Sequence, residues 1–274
     1  MVTAQQQGQI AEESALARWN RTYVKEFSEH KYVTTPGELL SRLKAFSWLS
    51  FGQLTGLAGE LSVANFKRNQ VVLDEADFST GANILLSGIA KISCLNARGE
   101  RVTVALLAPG PIPEFPSQSV RPWGFRCEAY SDCRLGSVSW DRFNAITENA
   151  PLSTFREFHR NNLKLWYRLL MRGSNFLGLG LRERLGMTLL ELCSEFGVEE
   201  SRGTLLRVSF SHQDIANLVG ASRPRVTEHL AQLEREHLVI RQGRQLIVCT
   251  DKIGNVIGVS LSTETASQER VSLS

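Results

Sequence analysis

The chain of 274 residues lacks the cysteine spacing that metal and disulfide sites require. Its five cysteines, at positions 94, 127, 133, 193 and 249, form no Cys-x-x-Cys pair, and their number is odd. A zinc ribbon or a disulfide framework is therefore not indicated, and we expect buried free thiols. The five histidines show no ligand spacing either, so we expect no metal and no other cofactor.

Long hydrophobic runs are also lacking. Stretches such as Val102 to Ala108 are far shorter than the roughly 20 residues that span a bilayer, and the N-terminus shows no basic-then-apolar signal peptide. These absences predict a cytoplasmic protein without a membrane partner. No nucleophile–base pair, paired carboxylates or phosphate-binding glycine loop is evident, so we do not expect an enzyme.

Net charge is low as well. The formal value of +3 is too small to indicate nucleic-acid binding by itself, and the hydrophobic content of 42% suits ordinary globular cores. A chain of this length should hold about two domains. Any contact with nucleic acid must therefore come from the placement of basic side chains rather than from their number.

What the chain does have is a helix-turn-helix pattern between Phe210 and Leu233. Ser211 predicts a helix N-cap with Asp214 in the capping-box position, and Phe210 and Ile215 fall at the positions of a hydrophobic staple. Gly220 then predicts a left-handed turn. The pattern indicates two short helices crossing closely, although helical hairpins of other kinds share it.

The second of these helices is predicted to begin at Ser222 as N-cap, with Pro224 in its first turn. An N-terminal edge rich in Arg and hydroxyl groups suits the major groove of DNA, where Arg can bind guanine and Glu can accept from cytosine. Residues 238–248 follow as a predicted wing hairpin with Gly243 at its turn. The candidate DNA-binding residues are Ser211, Gln213, Ser222, Arg223, Pro224, Arg225, Thr227, Glu228, Arg241 and Arg244.

Ahead of this region, the chain changes from helical to β-rich and back. Apolar spacing predicts two short helices in residues 36–64, and short β-rich runs in residues 66–143 predict an antiparallel roll. Residues 152–177 predict one long helix that is apolar on two faces, and the glycines at 173, 178 and 180 are predicted to break it near its end and to mark a hinge. One stripe of this helix is the candidate homodimer interface: Phe155, Phe158, Asn162, Leu165, Leu169 and Phe176.

This order of elements, ending in the sequence QDIANLVGASRPRVTEHLAQLE, resembles the Crp/Fnr family of bacterial transcription regulators over roughly residues 36–250. The resemblance implies an α+β fold with an antiparallel β-roll (cupin- or jelly-roll-like) sensor domain, a long dimerisation helix and a C-terminal winged helix-turn-helix. The implied segments are an extension (1–35), the roll (36–150), the helix and hinge (151–180), the DNA-binding domain (181–250) and a tail (251–274).

The resemblance weakens at the effector site of the roll. The cyclic-nucleotide branch carries a Gly-Glu pair, an Arg-Ser pair that holds the cyclic phosphate, and hydroxyl groups on the long helix. This chain offers Pro113-Glu114, about Trp123-Gly124, and Leu169-Leu170 at those places. We therefore expect that cyclic AMP does not bind through the usual contacts. The candidate effector pocket is formed by Glu114, Arg121, Trp123, Arg126, Leu169 and Leu170.

These patterns together predict a homodimeric DNA-binding regulator that reads a pseudo-palindromic site in double-stranded DNA. The resemblance implies RNA polymerase as a further partner and a small-molecule effector of unknown identity. The alternative is a sensor of a cyclic nucleotide or of haem that acts mainly through protein contacts. Residues 1–35 contain no cysteine, which excludes an iron–sulfur centre held by an N-terminal cysteine cluster.

Overall fold

A computed structural model of the protein describes residues 35–113, 124–148 and 152–257, except for the side chains of residues 79, 152–162, 164, 165 and 256. The described residues form two compact units, 35–177 and 178–257. The sequence predicted an antiparallel β domain, a long helix and a C-terminal helix-turn-helix, and this fold is confirmed.

The first unit begins with two helices, α1 (Pro36–Arg42) and α2 (Phe51–Glu60), joined by a 3-10 turn. Each begins with a reciprocal capping box: Thr35 with Glu38, and Ser50 with Gln53. The capping side chains satisfy amides that have no intrahelical partner, so both helix starts are fixed locally. The two helices predicted for residues 36–64 are confirmed.

Eight strands follow in two antiparallel sheets of four. They are β1 (Ser62–Phe66), β2 (Val71–Asp74), β3 (Gly81–Ser87), β4 (Ala90–Leu95), β5 (Arg101–Leu107), β6 (Gly110–Ile112), β7 (Arg126–Ala129) and β8 (Cys133–Ser139). The strand orders are β1-β8-β3-β6 and β2-β7-β4-β5. The two sheets enclose one apolar core, which makes this part of the chain a β-roll.

Strand β3 is buried on both of its faces. Leu85 belongs to the core inside the roll, whereas Ile84 and Leu86 belong to a second core beneath α1, α2 and α3 (Trp140–Thr147). A strand covered on both sides has no solvent face, which explains its continuous apolar sequence. The helices on the outer face therefore close a second hydrophobic layer.

The long helix, α4, runs from Leu152 to Gly178, as predicted. The prediction that Gly173 helps to break this helix is wrong, because the helix continues through that residue. The break lies between Gly178 and Gly180, which is the N-cap residue of the next helix. A single glycine lowers helix stability by about 1 kcal/mol, which a helix of this length tolerates.

The second unit contains four helices and four strands. They are α5 (Leu181–Phe196), β9 (Gly197–Glu200), β10 (Gly203–Leu206), α6 (His212–Val219), α7 (Arg223–Arg235), β11 (Val239–Gln242), β12 (Gln245–Val248) and α8 (Thr250–Val256). The strands form one antiparallel sheet in the order β11-β12-β10-β9. The wing is thus part of a four-stranded sheet, and the hairpin β9–β10 was not predicted.

Helix α8 continues the unit beyond residue 250, where the sequence suggested that a tail begins. Ile253 on this helix is buried. A Cβ atom on Gly186 of α5 would lie 2.8 Å from the Ile257 side chain just after α8. Because glycine lacks that atom, the two helices can approach closely.

The five cysteines are free thiols, as expected. Cys127, Cys133 and Cys193 are buried, and Cys94 and Cys249 are half-buried. Burial raises the pKa of Cys133 to about 11 and that of Cys193 to about 12. These two thiols are therefore protonated at neutral pH and chemically unreactive. Within the described ranges, no helix combines the length and apolarity needed to cross a membrane.

Candidate nucleic-acid interface

The first helix of the predicted helix-turn-helix begins as its sequence indicates. The Ser211 hydroxyl accepts a hydrogen bond from the Asp214 amide (3.1 Å), and the Asp214 carboxylate accepts one from the Ser211 amide (2.9 Å). Phe210 and Ile215, the residues of the predicted staple, are both buried. The capping box is confirmed, and it fixes the N-terminus of α6.

The turn between α6 and α7 depends on Gly220. This residue is left-handed, with φ of 62° and ψ of 48°. The Ala221 amide then donates to the carbonyl of Ala216 (3.0 Å), which closes the end of the helix. Glycine adopts this conformation without the steric cost that other residues carry. The predicted left-handed turn is confirmed.

Helix α7 presents one buried face and one exposed edge. Val226, Leu230 and Leu233, which are four and three residues apart, are buried. Ser222 occupies the N-cap position with extended backbone, and Pro224 lies in the first turn, but the Ser222 side chain makes no capping hydrogen bond. The amides at this end of the helix therefore face solvent without a side-chain cap.

The exposed edge of α7 carries Arg223, Arg225 and Glu228, as the sequence predicted. The side chains of these three residues form no hydrogen bond or ion pair with any residue in the described part of the chain. Two guanidinium groups and a carboxylate thus stand free along one and a half helical turns, ready for an external partner. Arginine and glutamate side chains are able to bind base edges in a major groove.

Thr227, on the same edge, is engaged within the protein. Its hydroxyl donates to the Arg223 carbonyl (2.9 Å) and lies 2.8 Å from Nδ1 of His212. The sequence suggested Thr227 as a direct DNA contact. Because both bonds are internal, its hydroxyl has less capacity for an external partner.

The wing is the hairpin β11–β12, with Gly243 at its turn in a left-handed conformation (φ 62°). Arg244 beside this glycine is exposed, and its side chain forms no hydrogen bond or ion pair with the described residues. Arg241 differs, because its Nη2 donates to Glu234 Oε1 on α7 (2.6 Å) and to His212 Nε2 (3.4 Å). Only one of the two wing arginines is therefore free.

His212 was not among the residues suggested by the sequence. Burial lowers the pKa of His212, and the cationic groups of Arg241 and Arg223 lower it further, against a smaller opposite effect of Glu234. Its partners lie 15 and 29 residues away along the chain, so no local sequence signal could indicate the contact.

Two other contacts hold this surface. Gln213 donates through Nε2 to Asn217 Oδ1 one turn along α6 (2.8 Å). Arg182, in the first turn of α5, forms a two-pronged ion pair with Glu236 at the C-terminus of α7. This ion pair joins the C-terminal end of α7 to α5, the helix that follows the glycine break. Arg223 lies at the other, N-terminal end of α7.

The candidate dimer stripe on α4 is described only in part, since the side chains of Phe155, Phe158, Asn162 and Leu165 lie outside the described residues. Leu169 is partly buried and packs against the core of the roll, so its place in a dimer interface stays a prediction. Phe176 is 39% exposed. The exposed apolar side chains of this helix follow the neighbouring stripe: Leu163, Trp166, Tyr167, Leu170, Met171 and Leu177.

The candidate effector pocket is likewise described only in part, because Glu114, Arg121 and Trp123 lie outside the described residues. Arg126 pairs with Asp74 on the adjacent strand (2.9 Å), which leaves its guanidinium less available for an anion. Leu169 faces the roll, whereas Leu170 is 67% exposed, so the two do not line one pocket within this chain. The two leucines thus do not share a pocket within one protomer, and the effector pocket stays a prediction.

The backbone at Gly124 is fixed from both sides. Its amide donates to Glu75 Oε2 (3.0 Å), and its carbonyl accepts from Arg101 Nη1 (2.8 Å). A glycine stands here at or next to the position where the resemblance places a phosphate-binding side chain. Residue 124 itself therefore has no side chain that could bind a cyclic phosphate.

Two protein families match the chain, in the order of its two units. Residues 63–150 match the family described as "Cyclic nucleotide-binding domain", and residues 183–254 match the family described as "Crp-like helix-turn-helix domain". The first match covers the β-roll and α3, and the second covers most of the C-terminal unit.

Curated relatives are similar over most of their length. The global nitrogen regulator of Nostoc sp. is 27% identical over 192 residues, which are 68% of this chain and 84% of the relative. A CRP-like cAMP-activated global transcriptional regulator of Mycobacterium tuberculosis is 24% identical over 218 residues, which are 77% of this chain and 94% of that protein.

Solved structures share the fold. A CooA mutant from Carboxydothermus hydrogenoformans has a TM-score of 0.59 at 18% identity, covering 73% of this chain and 88% of that one. A CRP/FNR-family transcriptional regulator from Thermus thermophilus has a TM-score of 0.53 at 20% identity, covering 72% of this chain and 98% of that one.

A β-roll of the cyclic-nucleotide-binding type followed by a Crp-like winged helix-turn-helix defines a class of DNA-binding proteins. With relatives of the same two-domain order, the chain belongs to the Crp/Fnr family of transcription regulators. The sequence-based interpretation as such a regulator is confirmed. The members that this chain resembles are regulators rather than enzymes.

Proposed function

We propose that the chain acts as a homodimer that reads a pseudo-palindromic DNA site, with α7 of each protomer in a major groove. The observation that carries this proposal is the edge of free, exposed side chains formed by Arg223, Arg225 and Glu228 at the N-terminal half of a helix whose other face is buried. Buried packing fixes the helix, so the charged edge is presented in one orientation.

Within this interface, Arg223 makes the main base contact through two hydrogen bonds to guanine, and Glu228 accepts from cytosine. Arg244 at the wing, Ser222 and the amides at the starts of α6 and α7 contact phosphates, which position the protein without reading sequence. These roles are proposed from the exposure of each residue. The remaining members of the surface near the DNA are Ser211, Gln213, Pro224, Arg225 and Thr227.

The dimer forms through the exposed apolar stripe of α4. Trp166, Tyr167 and Leu170 expose large side chains on one helix. An exposed apolar patch of this kind marks an interaction surface, because its burial against a partner removes apolar area from water. A second copy of the same helix supplies a self-complementary apolar surface. Two such protomers place their α7 helices about 34 Å apart, one turn of DNA.

Selection of binding sites from a pool of random-sequence duplexes by the full chain tests this function. Enrichment of a two-fold symmetric motif with half-sites about 10 base pairs apart is expected. Arg235→Ala, a change at the far end of the same helix, should enrich the same motif and serves as the matched control. Absence of any enriched motif would mean that the helix does not read base pairs.

An effector other than cyclic AMP gates the protein, or it acts without one. The support is chemical, because a cyclic phosphate taken out of water needs an Arg or several convergent hydrogen-bond donors. Neither Trp123 nor Gly124 has an anion-binding side chain. Titration calorimetry with cyclic AMP on the full chain should therefore show no saturable heat at micromolar ligand. A saturable heat in that range would contradict this reading of the roll.

RNA polymerase is proposed as the protein partner at the promoter, by analogy with the family that the chain belongs to. A pull-down of purified RNA polymerase holoenzyme by the chain bound to its selected duplex tests it. The expected result is retention of polymerase that depends on the duplex, and a duplex of scrambled sequence is the control.

A further inference from the structure

Four side chains join the two helices of the helix-turn-helix to the wing: His212 on α6, Thr227 and Glu234 on α7, and Arg241 on β11. We refer to them as the wing clamp. Nδ1 of His212 lies 2.8 Å from the Thr227 hydroxyl, and Nε2 of His212 lies 3.4 Å from Nη2 of Arg241. The same Nη2 donates to Glu234 Oε1 at 2.6 Å. One imidazole ring thus touches both α7, the proposed recognition helix, and the wing.

The hydrogen-bond directions in the wing clamp fix the form of the imidazole. The Thr227 hydroxyl donates its one hydrogen bond to the Arg223 carbonyl (2.9 Å), so its oxygen must accept from Nδ1 of His212. A guanidinium can only donate, so Nε2 must accept from Arg241. Only the neutral ring with its proton on Nδ1 satisfies both contacts.

The charges around the ring favour that neutral form. Burial and the guanidinium groups of Arg241 and Arg223 lower the pKa of His212 below its usual 6.5, and Glu234 opposes them in part. A neutral imidazole is therefore present at physiological pH. Protonation would place a second donor against Arg241 and break the contact.

We propose that His212 is a positioning residue of the DNA interface, which holds the wing and the recognition helix in one fixed arrangement. Arg241 is then the anchor of the wing, and Arg244 is the wing arginine left for phosphate. This inference rests on the proposed DNA-binding function, and it assigns to His212 a role that its position at the start of α6 does not by itself indicate.

The first test needs no DNA. The imidazole of His212 is titrated by NMR in the full chain, with its resonance assigned by its loss in His212→Asn. Arg241→Gln should raise the pKa of His212, because it removes a neighbouring cation. Arg244→Gln, a wing arginine outside the wing clamp, is the matched control and should leave it unchanged. An unchanged pKa in Arg241→Gln would overturn the proposed contact.

The second test is a double-mutant cycle on affinity for the selected duplex. His212→Ala and Arg241→Gln should each weaken binding about three- to tenfold, and the double variant should bind about as weakly as either single one. His212→Ala combined with Arg244→Gln should instead multiply the two losses. Multiplied losses in the first pair as well would mean that His212 contacts DNA independently.

The His212 variants should keep the folded α6, because the Ser211–Asp214 capping box holds the start of this helix without the imidazole. His212→Gln gives a further check. Its side-chain amide can accept from Arg241 but is poorly placed for Thr227, so binding intermediate between wild type and His212→Ala is expected. If the wild-type chain binds no duplex at all, the proposed function fails, while the imidazole titration still decides whether the wing clamp exists.

Discussion

At the scale of single residues, two serines that look alike in sequence differ in what they do. Ser211 and Ser222 both precede a helix of the helix-turn-helix, and both were predicted to be N-caps. Only Ser211 accepts a capping hydrogen bond, whereas Ser222 has the backbone of an N-cap without the side-chain bond. We infer that Ser211 serves stability and that Ser222 is available to DNA.

Ser211→Ala should therefore lower the free energy of unfolding of the C-terminal unit by about 1 kcal/mol, the usual value of a lost helix cap. Ser222→Ala should change it by no more than a few tenths of a kcal/mol. Urea denaturation of the full chain, followed by circular dichroism, measures both variants side by side. Equal losses in the two would show that Ser222 caps α7 in solution.

Residue roles were predictable where the signal is local. The capping box of Ser211 and Asp214 and the turn at Gly220 depend on neighbours within a few positions, and the structure contains both. The partners of His212 were not predictable, because Thr227 and Arg241 meet it only after the chain has folded. The engagement of Arg241 by Glu234 could not be foreseen for the same reason.

At the scale of elements, two glycines in helical surroundings have opposite consequences. Gly220 ends α6 with a left-handed backbone (φ 62°). Gly173 lies inside α4, and a Cβ atom built there would meet nothing within 4 Å. The same substitution should therefore destabilise one site and stabilise the other.

Gly220→Ala is expected to cost about 1 kcal/mol of unfolding free energy, because alanine carries steric strain in that conformation. Gly173→Ala should add about 0.5 to 1 kcal/mol, since alanine has the higher helix propensity. Thermal unfolding of the two variants beside wild type measures the difference. A loss of stability in Gly173→Ala would contradict the continuous helix α4.

The sequence predicted the elements that have a clear period or cap, which include α4, α6, α7 and the wing hairpin. It did not predict the hairpin formed by β9 and β10. These strands have four residues each, and β9 contains two glutamates at the edge of its sheet, a composition that is unfavourable in strands. The pairing of β10 with β12 comes from tertiary contact rather than from local propensity.

At the scale of the whole molecule, the proposed reading of a two-fold symmetric DNA site requires two copies of the chain. The two apolar stripes of α4 could be recognised in the sequence, but their assignment could not. Which stripe faces the roll depends on the three-dimensional position of the helix, and the structure places Leu169 against the roll core. The exposed stripe that includes Leu163 and Leu170 is therefore the one we assign to the partner.

Leu170→Glu should weaken the homodimer about tenfold or more, because a charge replaces an apolar side chain at the interface. Phe51→Glu is the matched control: its side chain is 86% exposed and lies on α2, outside the proposed interface. Sedimentation velocity over a range of protein concentrations measures both. Dimers of unchanged affinity in Leu170→Glu would place the interface elsewhere.

A base-preference profile of Arg223→Ala tests most directly whether α7 reads base pairs. Affinity is measured for the selected duplex and for every single-base-pair variant of it, at fixed salt, with wild type and Arg223→Ala. A guanine contact by Arg223 predicts a loss of about 1 to 3 kcal/mol at the selected duplex and a loss of preference at one base pair in each half-site, related by two-fold symmetry. Uniform weakening on all sequences, with every preference retained, would contradict it and would assign Arg223 to the phosphate backbone.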